Sequence, residues 1–202
     1  MAEEGFQPDI VAYSACLDGL IKIQEVDQAL KLFQDMCAQE REPNAITYST
    51  LINGLCNAGR PDDALVLWNE MGRKGCTPSS IAYMAFIHGL SNCGRPNEAL
   101  VYLREMEERE MKPDTYVYVA LLSAFLVDSN PPLAFEILQE MVDKGKFPDL
   151  HDKNHISVRN AILKLSEDAR TCSSIKNLLA KGSIPSASLS VTGIKDGDGA
   201  AI

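Results

Sequence analysis

The chain has 202 residues, 46% of them hydrophobic, and a formal net charge of −9. That apolar content suits a folded core rather than global disorder, no apolar run approaches the roughly 18 residues of a membrane span, and the acidic balance argues against a generic affinity for nucleic acid. Six cysteines, at 16, 37, 56, 76, 93 and 172, form no Cys-x-x-Cys pair, which speaks against a zinc site and for reduced thiols in an intracellular compartment.

The opening stretch, MAEEGFQPD, reads as the last turn of a helix followed by a loop. It has no basic amphipathic stretch and no apolar signal core, so no targeting segment is visible. From Ile10 onward one pattern recurs. Prolines stand at 8, 43, 78, 113 and 148, tyrosines at 13, 48, 83 and 118, methionines at 1, 36, 71, 106 and 141, and alanines at 29, 64, 99 and 134. Every successive difference is 35, and an internal repeat of this size decides the fold before any other signal. Met1 shares the phase of the later methionines, so residues 1–9 are expected to be the end of a truncated repeat.

Four complete units follow, at 10–44, 45–79, 80–114 and 115–149. In the second, Tyr48, Leu51, Ile52 and Leu55 form one apolar stripe at helical spacing. Gly59-Arg60-Pro61 breaks the chain, and Asp62 to Lys74 then presents Leu65, Trp68 and Met71 on one face. Pro61 and Pro96 suit a first helical turn, while Gly75 and Gly145 suit the position just past a helix end. Ala29, Ala64, Ala99 and Ala134 are small where two helices should approach most closely. The third unit keeps this layout. The fourth has Ala124 and Phe125 in place of Gly-Leu and Asn130-Pro131-Pro132 at the break.

Residues 150–186 read as a degenerate repeat or capping helices, with a first helix from Asn154 to Leu165 and a second from Ser174 to Lys181. Residues 187–202 are small, polar and glycine-rich, and are expected to be a disordered tail. A hairpin of two such helices cannot bury its apolar faces alone, so neighbours must stack. The expected fold is all-α: a right-handed superhelical solenoid of antiparallel helix-turn-helix repeats with a 35-residue period.

The unit AITYSTLINGLCNAGRPDDALVLWNEMGRKGCTPS, with its segments LINGLCNAGRPDDAL and LWNEMGRKGCTP, closely resembles the pentatricopeptide repeat family. The resemblance spans residues 1 to 149 clearly and 150 to 186 weakly, and uniform unit length points to the P-type class. It implies single-stranded RNA binding, one base per repeat, in organellar RNA processing, stability, splicing or translation. The location implied is the mitochondrion or chloroplast, with the mitochondrion slightly favoured. Base-reading pairs carried over from the family are Ser14 with Asn44, Ser49 with Ser79, Met84 with Asp114, and Val119 with Asp149. Base-sandwiching residues are Val11, Ile46, Ile81 and Tyr116, and Lys22 alone keeps the family's phosphate-contacting lysine.

A carboxylate can only accept, so Asp114 and Asp149 should favour the ring N–H of uracil or guanine, while Asn44 beside Ser14 favours adenine. The pair Ser49 and Ser79 is uncommon and is left unread. Met84 and Val119 offer no strong hydrogen bond, so their units should discriminate weakly. The expected register, five-prime to three-prime, is A, open, U or G, U or G.

Blander readings stand beside these. Asp9, Asn44, Ser79, Asp114 and Asp149 are all good N-cap residues, and capping alone explains them. Met84 and Val119 could be core. Residues 1–149 carry 12 Lys plus Arg against 23 Asp plus Glu, a net of −11, and nucleic-acid affinity comes largely from neutralised phosphates. Four units at that charge should bind weakly, in the micromolar range or worse. The alternative function is a protein–protein interaction scaffold without RNA binding. His151 and His155 are four apart and would share a helix face, but no third ligand supports a metal. No cofactor, small-molecule substrate, membrane partner or enzyme activity is expected.

Overall fold

A computed structural model describes residues 9–149 and 151–184, and among them ten α-helices and no strands occur. The expected tail at 187–202 and nearly all of the expected terminal fragment at 1–9 lie outside the described residues. The helices are α1 (Ile10–Lys22), α2 (Val26–Ala38), α3 (Ala45–Asn57), α4 (Pro61–Arg73), α5 (Ser80–Asn92), α6 (Pro96–Glu108), α7 (Thr115–Val127), α8 (Pro131–Asp143), α9 (Asn154–Glu167) and α10 (Cys172–Ala180). Pro61, Pro96 and Pro131 open α4, α6 and α8, where a missing N–H goes unnoticed. Gly75 and Gly145 follow helix ends with φ of 72° and 64°, the left-handed turn that glycine adopts without penalty. α10 starts two residues before the expected Ser174, because the Asp168 carbonyl accepts the N–H groups of Thr171 and Cys172.

Each odd-numbered helix packs against the odd-numbered helices before and after it, from α1 to α9. The even-numbered helices α2, α4 and α6 pack on their own partner and touch the next unit's first helix. The result is a solenoid with the first helices as one continuous layer, called inner because its helices approach one another most closely, and the second helices as the outer layer. Ala29, Ala64, Ala99 and Ala134 are fully buried, as their small size suggests. So are Tyr48, Tyr83 and Tyr118. Trp68 of α4 stacks on Phe86 of α5 at 4.7 Å and 17° and meets Tyr83 edge-on at 4.8 Å.

Two features hold the layers in place. The first is close approach within the inner layer. A Cβ added to Gly54 would lie 2.2 Å from the Ile21 side chain, and one added to Gly89 would lie 2.1 Å from the Cys56 Cβ and 3.3 Å from its Cα. Only glycine lets these helices come so near. The second is a tether from the buried tyrosines to the outer layer. Tyr48 Oη donates to Glu70 at 3.0 Å, Tyr83 to Glu105 at 2.6 Å, and Tyr118 to Glu107 at 3.2 Å and Glu140 at 3.4 Å. Tyr13 donates instead to Gln39, at 3.0 Å. Burial, helped by the carboxylate neighbours, pushes Tyr48 and Tyr83 well above the usual phenol range and Tyr118 up to about 12.

Around Tyr118 the tether widens into an ion cluster. Arg104 donates to Glu140 through both terminal nitrogens, at 2.8 and 2.7 Å, while Lys144 bridges Glu140 and Glu107. This bidentate contact joins α6 to α8 across the unit boundary. Farther back, Arg60 reaches Asp27 and Arg95 reaches Asp62, each at 2.5 Å, joining successive units on the exposed outer side.

The glycines make two opposite expectations. Gly89→Ala should destabilise the fold by about 1–3 kcal/mol, because two helix backbones must separate. Gly19→Ala has open space around it and should stabilise by about 0.5–1 kcal/mol through helix propensity. Urea unfolding of the two variants checks the difference in sign.

Glu140 carries a pH dependence. Burial pushes its carboxyl up, but the bonds from Arg104 and Lys144 outweigh that and hold it at about 2, below its ordinary 4.5. Its contribution is therefore complete above about pH 4.5 and lost as pH falls toward 2. Glu140→Gln should lose on the order of 2 kcal/mol at pH 7, with the gap to the parent closing across that window. Unfolding curves taken at successive pH values measure it.

Candidate nucleic-acid interface

The inner layer is almost free of charge. In α1, α3, α5 and α7 the only charged side chains are Asp18 and Lys22, whereas α2, α4, α6 and α8 hold 12 acidic and 3 basic residues. The net negative charge thus belongs mainly to the outer layer and the loops. Lys22 pairs with Asp18 at 2.6 Å, both side chains being largely exposed.

Apolar side chains project from the same layer. Val11, Ile46 and Ile81 are 74%, 67% and 73% exposed, and Tyr116, at the same position of the fourth unit, is 43% exposed. Tyr116 is partly covered because its ring stacks on His88, 4.3 Å away and 24° from parallel. Burial pulls the His88 imidazole below its usual value, and the Asp114 carboxylate opposes that shift. Burial thus favours the neutral ring, a stacking surface rather than a cation.

The residues expected to read bases fall into distinct arrangements. Asn44 caps α3: its Oδ1 accepts from Thr47 N at 3.0 Å and from Thr47 Oγ1 at 3.1 Å. The same Thr47 hydroxyl lies 3.3 Å from Ser14 Oγ, so Ser14 and Asn44 are joined through one buried threonine that sequence reasoning passed over. Ser49 and Ser79 line one cavity of about 310 Å³ together with Ile46 and Ile81. Ser49 Oγ donates to Ala45 O at 2.6 Å, and Ser79 Oγ accepts from Ala82 N at 3.2 Å.

The third and fourth pairs differ. Asp114 caps α7 through one carboxylate oxygen, accepting from Val117 N at 3.0 Å. Its expected partner Met84 is half-buried and packs against the core. Val119 is buried, only 7% exposed, and lines a second cavity of about 530 Å³ with Tyr116, His88, Ser123, Asn154 and Ser157. Asp149 is not among its lining residues. Nor does Asp149 cap a helix as Asp9, Asn44, Ser79 and Asp114 do, because the next helix starts only at Asn154 with Lys153 at its cap position. The Asp149 carbonyl instead accepts from Asp152 N at 2.9 Å in a turn.

That turn also separates the two histidines. His151 precedes α9 and is exposed, whereas His155 is buried, 6.3 Å from Phe147 centre to centre, with Nδ1 3.4 Å from the Pro148 carbonyl. They do not share a helix face. Among the described residues no group of three or more His, Cys, Asp or Glu side chains could hold a metal ion, and no helix is long and apolar enough to cross a membrane.

The arrangement resembles known proteins. The PPR repeat family model matches residues 8–57, 50–92 and 78–127, and the PPR repeat model matches 116–145. No curated protein matches the chain. Among solved structures, the pentatricopeptide repeat protein PPR10 from maize superposes with a TM-score of 0.72 at 21% identity, over 92% of this chain and 25% of that one. PPR10 in complex with an 18-nt psaJ RNA element gives 0.67 at 24% identity, over 88% and 27%. The PPR domain of Arabidopsis thaliana protein-only RNase P 1 in complex with tRNA gives 0.68 at 16% identity, over 83% and 85%. These identities make the likeness one of fold, and the chain spans about a quarter of the length of PPR10.

The caps separate two residues that look alike in sequence. Asn44→Ala should destabilise by about 1 kcal/mol through loss of its cap bonds, while Asp149→Ala should change stability by a few tenths at most. Thermal unfolding of both variants checks the contrast.

Proposed function

We propose that this chain, which belongs to the pentatricopeptide repeat family, binds single-stranded RNA along its inner helix layer, one base per repeat. The observation that carries the reading is the placement of Ser14 with Asn44, and of Ser49 with Ser79, at matching points of that layer. The exposed apolar residues Ile46 and Ile81 flank the second pair. Related folds carry RNA: PPR10 in its complex with the psaJ element and the RNase P 1 domain in its complex with tRNA. Organellar RNA processing, stability, splicing or translation, in the mitochondrion or chloroplast, is the setting proposed from the same kinship.

Selectivity follows from the atoms that capping leaves over. Asn44 Oδ1 is occupied by two donors, so its amide N–H groups are what remains for a base, and they suit adenine N1 or cytosine N3. One Asp114 oxygen serves the cap; the other accepts, which suits the ring N–H of uracil or guanine. Ser49 gives its proton to Ala45 and keeps lone pairs, whereas Ser79 receives from Ala82 and keeps its proton. That pair can meet a base edge with one acceptor and one donor. Affinity is modest, because Lys22 is the one inner-layer cation among α1, α3, α5 and α7, and its exposed bond to Asp18 is weak enough for a phosphate to replace.

Fluorescence anisotropy with short labelled RNAs at low salt tests this. Binding should be micromolar or weaker, and a U or G facing the third unit should be preferred to A or C about fivefold, the value of one hydrogen bond. Asp114→Asn should reverse that preference. Equal affinity for all four bases, in the parent and the variant alike, would sink the reading and leave a helical scaffold for protein partners.

A further inference from the structure

We infer that the fourth unit presents Asn154, not Asp149, to its base. The inference rests on the RNA-binding reading and changes the specificity that reading assigns to one position.

The first helices share a burial register. Counting from the exposed apolar residue, the second, fifth, sixth and ninth following residues are buried: Tyr48, Leu51, Ile52 and Leu55 after Ile46; Tyr83, Phe86, Ile87 and Leu90 after Ile81; Tyr118, Leu121, Leu122 and Phe125 after Tyr116. In α9 the same offsets hold from Ile156, which is 64% exposed, to the buried Val158, Ala161, Ile162 and Leu165. Ile156 therefore stands where Ile46, Ile81 and Tyr116 stand. The residue two places before each of these is Asn44, Ser79, Asp114 and, in the last case, Asn154. Spacing along the chain is 35, 35 and then 40 residues. Five extra residues lie between the repeat proline and Ile156, the exposed apolar residue of α9, so a reading by proline spacing lands five positions early.

The two cavities match in the same register. Ile46, Ser49, Thr50, Asn53, Ser79 and Ala82 line the smaller one. Tyr116, Val119, Ala120, Ser123, Asn154 and Ser157 line the larger. The first four members correspond at a separation of 70 and the last two at 75, with Asn154 where Ser79 is. The Asn154 backbone N–H donates to Asp152 Oδ1 at 2.7 Å, which holds the residue at the cavity edge, and its carboxamide makes no hydrogen bond among the described residues. Asp149 does not line that cavity, and its carbonyl accepts from Asp152 N in the turn before α9.

The chemical consequence is a loss of discrimination. A carboxylate accepts only, so it repels the ring lone pair of adenine or cytosine and demands the N–H of uracil or guanine. A carboxamide with both its donors and its acceptor available can meet either edge. Val119, buried and apolar, adds no second criterion. The fourth unit is then a stacking site, with Tyr116 backed by His88 beneath it, that tolerates any base.

The test uses the full chain and a set of RNAs varied only at the nucleotide facing the fourth unit. A matched set varied at the third position, read by Asp114, serves as internal control. The parent should vary less than about twofold across the four bases at the fourth position. Asn154→Asp should create a preference for U or G of about fivefold, and Asp149→Asn should change nothing. A parent that already prefers U or G at the fourth position, with the preference abolished by Asp149→Asn, overturns the inference while the third-position control stands. Loss of discrimination at the third position as well removes the RNA reading, and this inference with it.

Discussion

Everything else in this molecule depends on how closely the first helices approach one another. A two-helix unit cannot bury its apolar faces alone, and stacking is its only route to a core. The contact is closest where Gly54 meets Ile21 and Gly89 meets Cys56, at separations no Cβ could occupy. That proximity makes the inner layer continuous. The outer helices follow at a looser spacing, held by tyrosine hydroxyls on carboxylates and by exposed arginine bridges between units. Exposed ion pairs add little, whereas the inner contact buries whole side chains. The spacing of successive first helices is thus a packing property of the glycine-bearing face.

Much of this was legible in the sequence because a 35-residue period multiplies every signal. Helix pairs, the proline openings and the four buried alanines all follow from residue spacing. The glycine contacts were less visible: LINGL reads as an apolar stripe, and nothing in one chain says which side of Gly54 faces a neighbour. The tyrosine tethers were legible and went unread, since Glu70, Glu105 and Glu140 keep the repeat phase exactly as the tyrosines do. At Asp149 spacing itself misled. The fifth helix pair lacks the tyrosine that marks the register elsewhere, and only its burial pattern, from Val158 to Leu165, reveals the offset. Periodicity locates a repeat, while register within a worn repeat is set by which residues reach the core.

The charge objection raised by composition changes character once the layers are separated. A net of −11 over residues 1–149 would repel a polyanion if spread evenly. It is not spread evenly: the first helices of the four units carry one acid and one base, and most acidic side chains stand on the opposite layer or in the loops. Several of those are matched by arginine or lysine, as around Glu140. The first-helix layer is therefore close to neutral apart from the cap carboxylates Asp9 and Asp114. Neutrality lowers the electrostatic penalty without supplying phosphate affinity, and on the proposed reading base stacking and edge recognition must provide most of the binding.

Capping and base reading looked like rivals for the same side chains, and the geometry reconciles them atom by atom. An N-cap uses one acceptor. Asn44 contributes Oδ1, Asp114 one carboxylate oxygen, and Ser79 a lone pair of its hydroxyl, so each keeps a second function. The cap also removes the rotamer freedom that binding would otherwise have to freeze, and a group already held loses less entropy when a ligand arrives. On this view a good cap is the precondition for a selective reader. Asn154, which has the position without a cap bond, is the unit where selectivity should fail, and the same physical argument accounts for both.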